Sequence, residues 1–267
     1  MPNLGVAAIV LFCLTPFYWM VATTLRPPNQ QFDNSLIPRS VSPENLIAVF
    51  DPSVGFHRAL LNSFLVAGIT TALTLVIGTT TAYALARLTF RGKKIVLAAI
   101  IATVMFPGIS LIVPLLKLFT DIGWINTYQA MIVPYLSFAL PLTVWLLTTF
   151  FKQMPFDLEQ AAQADGCTPG QAFRKVILPI ALPGMFTAAV LTFIMAWNEF
   201  IIALTIVNRP KMQTVTVAIS QFTGAQQFEL PFGTQMAAGV VVTIPLVLLV
   251  LICRRRIIAG LTAGGVK

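Results

Sequence analysis

Six charge-poor apolar runs dominate this chain, at approximately 4–25, 61–86, 95–116, 129–151, 182–207 and 235–253. Each comes near or exceeds the roughly 20 residues that a helix needs to cross about 30 Å of hydrocarbon. The pattern predicts an all-α membrane protein of six transmembrane helices, forming a single transmembrane domain over 1–267. Composition supports this: 57% of the 267 residues are hydrophobic, only 10% are charged and the mean hydropathy is +0.85, far from a soluble domain of this size. A membrane β-barrel would show alternating segments of about ten residues, and the sequence has none. The first run starts at residue 4 without a basic n-region or a small-residue cleavage site, so it reads as a retained span.

Lys and Arg in the connections set the expected orientation. The loop 87–94 (RLTFRGKK), the insert 152–181 and the tail 254–267 together carry eleven, while the opposite loops carry six: Arg26, Arg39, Arg58, Lys117, Arg209 and Lys211. The positive-inside rule puts the richer side, and with it both termini, in the cytoplasm. The net charge of +8 follows from this bias and calls for no nucleic acid. Cys13, Cys167 and Cys253 show neither disulfide nor metal spacing.

The spans are rich in breakers. Pro16, Pro107 with Gly108, Pro114, Pro134, Pro141 and Pro245 are each expected to interrupt a helix, which is either ordinary kinking or a bundle bent around a pathway. Within the spans the ionisable residue is Glu199, in FIMAWNEFIIAL. An acid at membrane depth faces a cavity or a partner in preference to lipid. With Trp197 and Asn198 beside it, an aromatic face and hydrogen-bonding groups suited to a sugar ring are brought together, so Trp197, Asn198 and Glu199 are candidates for a translocation pathway. A helix-to-helix hydrogen bond that only holds the bundle together is the other reading.

Catalysis finds no support. His57 is the only histidine and sits in a loop, which leaves a zinc site or a serine-histidine dyad without its ligands or base. There is no GxxxxGK[ST] loop to cradle a nucleotide. An ion-driven carrier or channel subunit is the alternative class, but carriers of that kind need several buried ionisable groups. Active transport by this chain therefore requires energy from another subunit.

The insert 152–181 is where that energy would arrive. In EQAAQADGCTPGQAFRKVILP, Asp157 is positioned to cap a helix with Gln160 completing a box, and Gly166 is placed to end it. Thr168, Pro169 and Gln171 restart a second helix, which Pro179 and Pro183 are expected to close as the fifth span begins. Small Ala161 and Ala162 would let another surface come close, while Gln160, Gln163 and Asp165 offer polar contacts. Such a knuckle suits docking; an interfacial hairpin resting on lipid headgroups is the passive alternative.

This segment resembles the EAA loop of permease subunits in ATP-binding-cassette importers, with Ala161, Ala162, Gly166, Leu178 and Pro179 on the motif and Val176 in its Ile place. The motif's Glu falls on Gln160, and Glu159 supplies a charge one residue earlier. The likeness extends from PFYWMVATTLR through ENL at 44–46, LNS at 61–63, AYALAR at 82–87 and WNEF at 197–200 to the closing GLTAGGVK, which is similar to the second permease of maltose-type and trehalose-type carbohydrate importers. The resemblance implies the type I importer permease fold, with Glu159, Gln160, Ala161, Ala162, Asp165, Gly166, Leu178 and Pro179 coupling to the ATPase. It implies a homologous second permease, two ATPase subunits that use ATP and Mg, an extracytoplasmic sugar-binding protein, and no cofactor on this chain. The bacterial cytoplasmic membrane is the implied location and a disaccharide such as trehalose or maltose the implied cargo. Alternating access would follow as ATP binding draws the EAA helices together. The tail, through Thr262, Gly264, Gly265 and Lys267, would reach the ATPase interface, although its composition alone favours disorder.

Overall fold

A computed structural model of the chain describes residues 2–222 and 231–262, with side chains described in 4–222 and 231–253. Every regular element among the described residues is helical. That is the expected outcome where backbone amides lie in hydrocarbon and must be satisfied within their own segment. In chain order the helices are α1 (Pro2–Thr24), α2 (Glu44–Val49), α3 (Phe56–Arg87), α4 (Lys93–Ala102), α5 (Ile112–Asp121) and α6 (Tyr128–Gln153). The chain continues with α7 (Asp157–Ala164), α8 (Pro169–Ala172), α9 (Leu178–Trp197), α10 (Ile201–Ile206), α11 (Val215–Ser220) and α12 (Phe232–Thr262). Among the described residues five continuous helical stretches are long and apolar enough to span a membrane, and a bent pair brings the number to as many as six.

The bent pair is the third expected span. Lys93–Met105 and Gly108–Asp121 meet at 87° instead of running straight. Pro107 explains the break, since a proline drives the preceding residue out of the helical region: Phe106 has ψ 124° and Pro107 itself ψ 116°. The fifth span also departs from expectation. Pro179 and Pro183 do not separate the insert from the membrane helix; Pro179 lies in the first turn of α9 and Pro183 inside it, and the helical run is continuous from Pro169 to Trp197. A π turn at Phe173–Ile177 joins α8 to α9. Pro179 removes the bond that would reach the carbonyl of Lys175 and crowds it, and the widened turn sits at that point.

The chain divides into two compact units, 1–63 with 207–248 and 64–206 with 249–267. In the first, polar side chains tie off backbone ends. Asn45 donates through Nδ2 to the carbonyls of Thr24 (3.1 Å) and Arg26 (2.7 Å) at the end of α1. Asn62 does the same for Lys211 (3.1 Å) and Gln213 (2.9 Å), and Ser63 Oγ accepts the Val215 N–H at 2.9 Å where α11 begins. The ENL and LNS fragments therefore serve as backbone ties. Gly233 is glycine because a Cβ there would come within 2.6 Å of the Asn45 side chain. Arg26, buried, lies 4.8 Å from the Trp19 ring centroid and donates to the Ser35 carbonyl.

The second unit is held by side-chain packing among α3, α6 and α9. Ala82 and Ala86 of α3 meet Leu147 and Phe151 of α6, then Ile177, Ala181 and Ala188 along the fifth span, with Met154 closing the cluster. Small residues matter here because apolar contact gains little over lipid, whereas close approach increases dispersion contacts. Thr143 of α6 and Thr192 of α9 hydrogen-bond across that interface at 3.2 Å.

Candidate functional site

The insert between α6 and α9 forms the first of the two expected short helices, α7, while the second, α8, runs on through the π turn into α9. Its boundaries follow local rules in two of three places. Gly166, with φ +88°, ends α7 in a left-handed turn: the Cys167 N–H reaches the Ala162 carbonyl and the Gly166 N–H that of Gln163, both at 3.0 Å. Thr168 and Gln171 then form a reciprocal capping box, Gln171 N–H to Thr168 Oγ1 at 3.3 Å and Thr168 N–H to Gln171 Oε1 at 2.9 Å, with Pro169 in the first helical position. The first boundary is a correction. Phe156 holds the cap position without a side-chain bond, and Asp157 is already helical. Asp157 and Glu159 instead occupy the first turn, where the helix dipole favours carboxylates.

Burial sorts the expected contact residues into two sets. Gln160, Ala161, Asp165, Gly166 and Pro179 are exposed, while Leu178 and Val176 are half-buried. Ala162 is 6% exposed, which corrects the expectation that both alanines face outward: its small side chain lets α7 pack on its own chain. Glu159 is likewise turned inward. Its Oε1 lies 3.3 Å from Arg87 Nε, with the Arg87 side chain 1% exposed. Arg87 also donates through Nη2 to the Met154 carbonyl at 2.9 Å and stands 4.4 Å from the Phe156 ring centroid. A buried guanidinium is tolerated only with such partners. In the sequence the only mark of this role for Arg87 is a charge that terminates an apolar helix at the close of AYALAR.

The second candidate lies where the fifth run breaks. Helix α9 stops at Trp197 and α10 restarts at Ile201, so 198–200 are not helical. Glu199 bridges the gap: its Oε1 accepts the Ile202 N–H at 2.8 Å and its Oε2 the Ala203 N–H at 3.1 Å, and the Tyr135 hydroxyl donates to Oε2 at 2.5 Å. The acid caps α10, the helix that restarts after this break. It also borders a cleft of about 250 Å³ that takes Gly108, Ile109 and Ile112 from the 87° bend and Tyr135, Phe138 and Met195 from α6 and α9. The bend of the third candidate span and the break after α9 thus meet at one cavity.

The three WNE residues separate in space. Glu199 lines the cleft; Asn198 is exposed and donates to the Ile194 carbonyl at 2.9 Å. Trp197 is 1% exposed, stacked on Phe193 (5.5 Å between centroids) and edge-on to Phe64 (4.7 Å), so its ring faces aromatic packing and not an open pathway. Thr262 is the last residue of α12 and its side chain is outside the described residues, as are Gly264, Gly265 and Lys267 altogether. Among the described residues no cluster of three or more His, Cys, Asp or Glu could hold a metal, and Cys13, Cys167 and Cys253 are free thiols.

The chain is thus a helical membrane bundle with a bent third candidate span and a capped insert before the fifth. Residues 74–262 match the family described as binding-protein-dependent transport system inner membrane component, and the chain belongs to that family. It is 46% identical to the trehalose transport system permease protein SugB of Mycobacterium tuberculosis, over 97% of this chain and 94% of that protein. It is 37% identical to the trehalose/maltose transport system permease protein MalG of Thermococcus litoralis, over 99% of this chain and 95% of that one. Among solved structures, a bacterial ABC transporter involved in the import of the acidic polysaccharide alginate superposes with a TM-score of 0.81 at 17% identity, covering 95% of this chain and 94% of that one; it shows the fold. The chain is the multi-pass, non-catalytic membrane component of a binding-protein-dependent ABC transporter. That membership sets aside the ion-driven carrier and channel alternatives.

Proposed function

We propose that this chain is the second of two homologous permeases in an ATP-driven importer of a trehalose- or maltose-type disaccharide, lining half of the pathway across the cytoplasmic membrane. The observation that carries the reading is the 46% identity to a trehalose permease over nearly the full length of both chains. Two partner ATPase subunits bind ATP and Mg, an extracytoplasmic binding protein delivers the sugar, and the termini lie in the cytoplasm, as the Lys and Arg distribution supports.

Work is transmitted through the insert. Gln160 and Ala161 of α7, with Asp165 and Gly166 just beyond its end, form the exposed edge that meets the ATPase, while Glu159 and Ala162 shape that helix from behind. Closure of the ATPase dimer draws the insert with it and opens the bundle toward the binding protein; hydrolysis resets it. The cleft at Glu199 and Tyr135 contributes hydrogen-bonding groups on an apolar wall, which matches the edges and faces of a sugar ring. The tail residues Thr262, Gly264, Gly265 and Lys267 approach the ATPase interface.

Uptake of radiolabelled trehalose, maltose and glycerol phosphate by the complex reconstituted in liposomes tests this. ATP-dependent accumulation of a disaccharide is expected. Accumulation of glycerol phosphate with neither disaccharide carried would overturn the substrate assignment, and accumulation without ATP would overturn the class.

A further inference from the structure

We propose that the last turn of α3 is the receiver of the coupling stroke: Tyr83 and Arg87, one helical turn apart, clamp both helices of the insert to the second span, so that movement of the insert loads that span directly. This rests on the reading that the insert docks on an ATPase. Neither residue belongs to the EAA motif, and both lie in the AYALAR segment that the motif does not explain.

Arg87 reaches three points in the first half of the insert. Its guanidinium pairs with Glu159 of α7, holds the Met154 carbonyl where α6 ends, and covers the Phe156 ring at the cap of α7. Tyr83 reaches the second half. Its ring lies 4.4 Å from Phe173, the first residue of the π turn, and edge-on to Phe151 of α6 at 5.9 Å. Positions i and i+4 share a helix face, so both clamps pull on one side of α3. Ala82, fully buried, and Ala86, 7% exposed, bring that face against the packed cluster below the insert. A lever joined only by its two chain connections could swing freely. This one is pinned at 83 and 87 and must carry α3 with it.

Two measurements on the complete transporter separate this joint from docking. With the native cysteines replaced, an Ala161→Cys variant is cross-linked to a cysteine on the ATPase surface, which reports docking. ATPase stimulation by the sugar-loaded binding protein reports transmission. Arg87→Met combined with Glu159→Gln removes both charges together, so no unpaired ion is left buried. That double variant is expected to assemble and cross-link at normal yield while stimulation falls about tenfold, within the ordinary range of coupling free energies. Arg87→Lys keeps the cation without the planar fork and is expected to lose only about threefold. Tyr83→Leu, which keeps apolar bulk without the stacked ring, is expected to fall between them. Normal stimulation in the assembled double variant would overturn the proposal, leaving the ion pair as packing. Absence of the cross-link with Arg87 and Glu159 intact would instead overturn docking, and this inference with it.

Discussion

Glu159 and Glu199 both keep a carboxylate away from bulk water, and they are held by different kinds of partner. Glu159 meets the buried guanidinium of Arg87, which comes from another helix. Glu199 accepts two backbone N–H groups from the helix that follows it and the hydroxyl of Tyr135. The first arrangement binds one element to another and makes a joint. The second ends a local break and leaves the acid bordering a cleft. A charge paired with a distant side chain transmits position; one held by adjacent backbone preserves a gap.

The sharpest way to break this contrast is Glu199→Leu. It leaves the Ile202 and Ala203 amides and the Tyr135 hydroxyl without their acceptor, and with about 1 to 3 kcal/mol for each orphaned buried group the loss should reach several kcal/mol. Thermal denaturation of the detergent-purified protein and uptake assays should both show it, whereas Glu199→Gln keeps an acceptor and should fall between Leu and the native residue. A Leu variant with unchanged stability would mean that the break persists without its cap.

Next in size is a pair on neighbouring alanines. Ala162→Trp forces a large ring into a site that is 6% exposed and should cost about 2 kcal/mol or more, read as a lower melting temperature. Ala161→Trp, on the exposed side, should keep the melting temperature while lowering ATPase stimulation by the sugar-loaded binding protein. Equal melting temperatures for the two variants would contradict the facing of α7. Tyr135→Phe deletes one donor to a carboxylate and should cost about 1.5 kcal/mol, with α10 still capped through its amides. The smallest effect belongs to Gly166→Ala. Open space surrounds its missing Cβ, so only the positive φ of +88° resists, at about 1 kcal/mol. A loss much larger than this would reveal a contact at Gly166.

The spans and the junction inside the insert were legible because they depend on neighbours in the chain. Apolar length marks a crossing, the Thr168 and Gln171 box needs residues three apart, and Gly166 is read from the conformation a helix stop requires. Pro107 was legible as a breaker, yet the 87° turn there depends on what the two halves pack against. Pro179 misled because a π turn absorbs it, and Asp157 because the helix starts one residue earlier than a cap at that position would allow. Which alanine of the motif faces inward, whether Trp197 meets a pathway or other rings, and what neutralises Glu159 were beyond any local rule. Arg87 and the Met154 carbonyl it holds are 67 positions apart, and only the folded bundle brings them within 2.9 Å. Hydrophobic length and capping act over a few residues and are written in the order of the chain, but the partner of a buried charge is chosen by three-dimensional proximity, because the cost of leaving it unpaired is met wherever the fold supplies an opposite group.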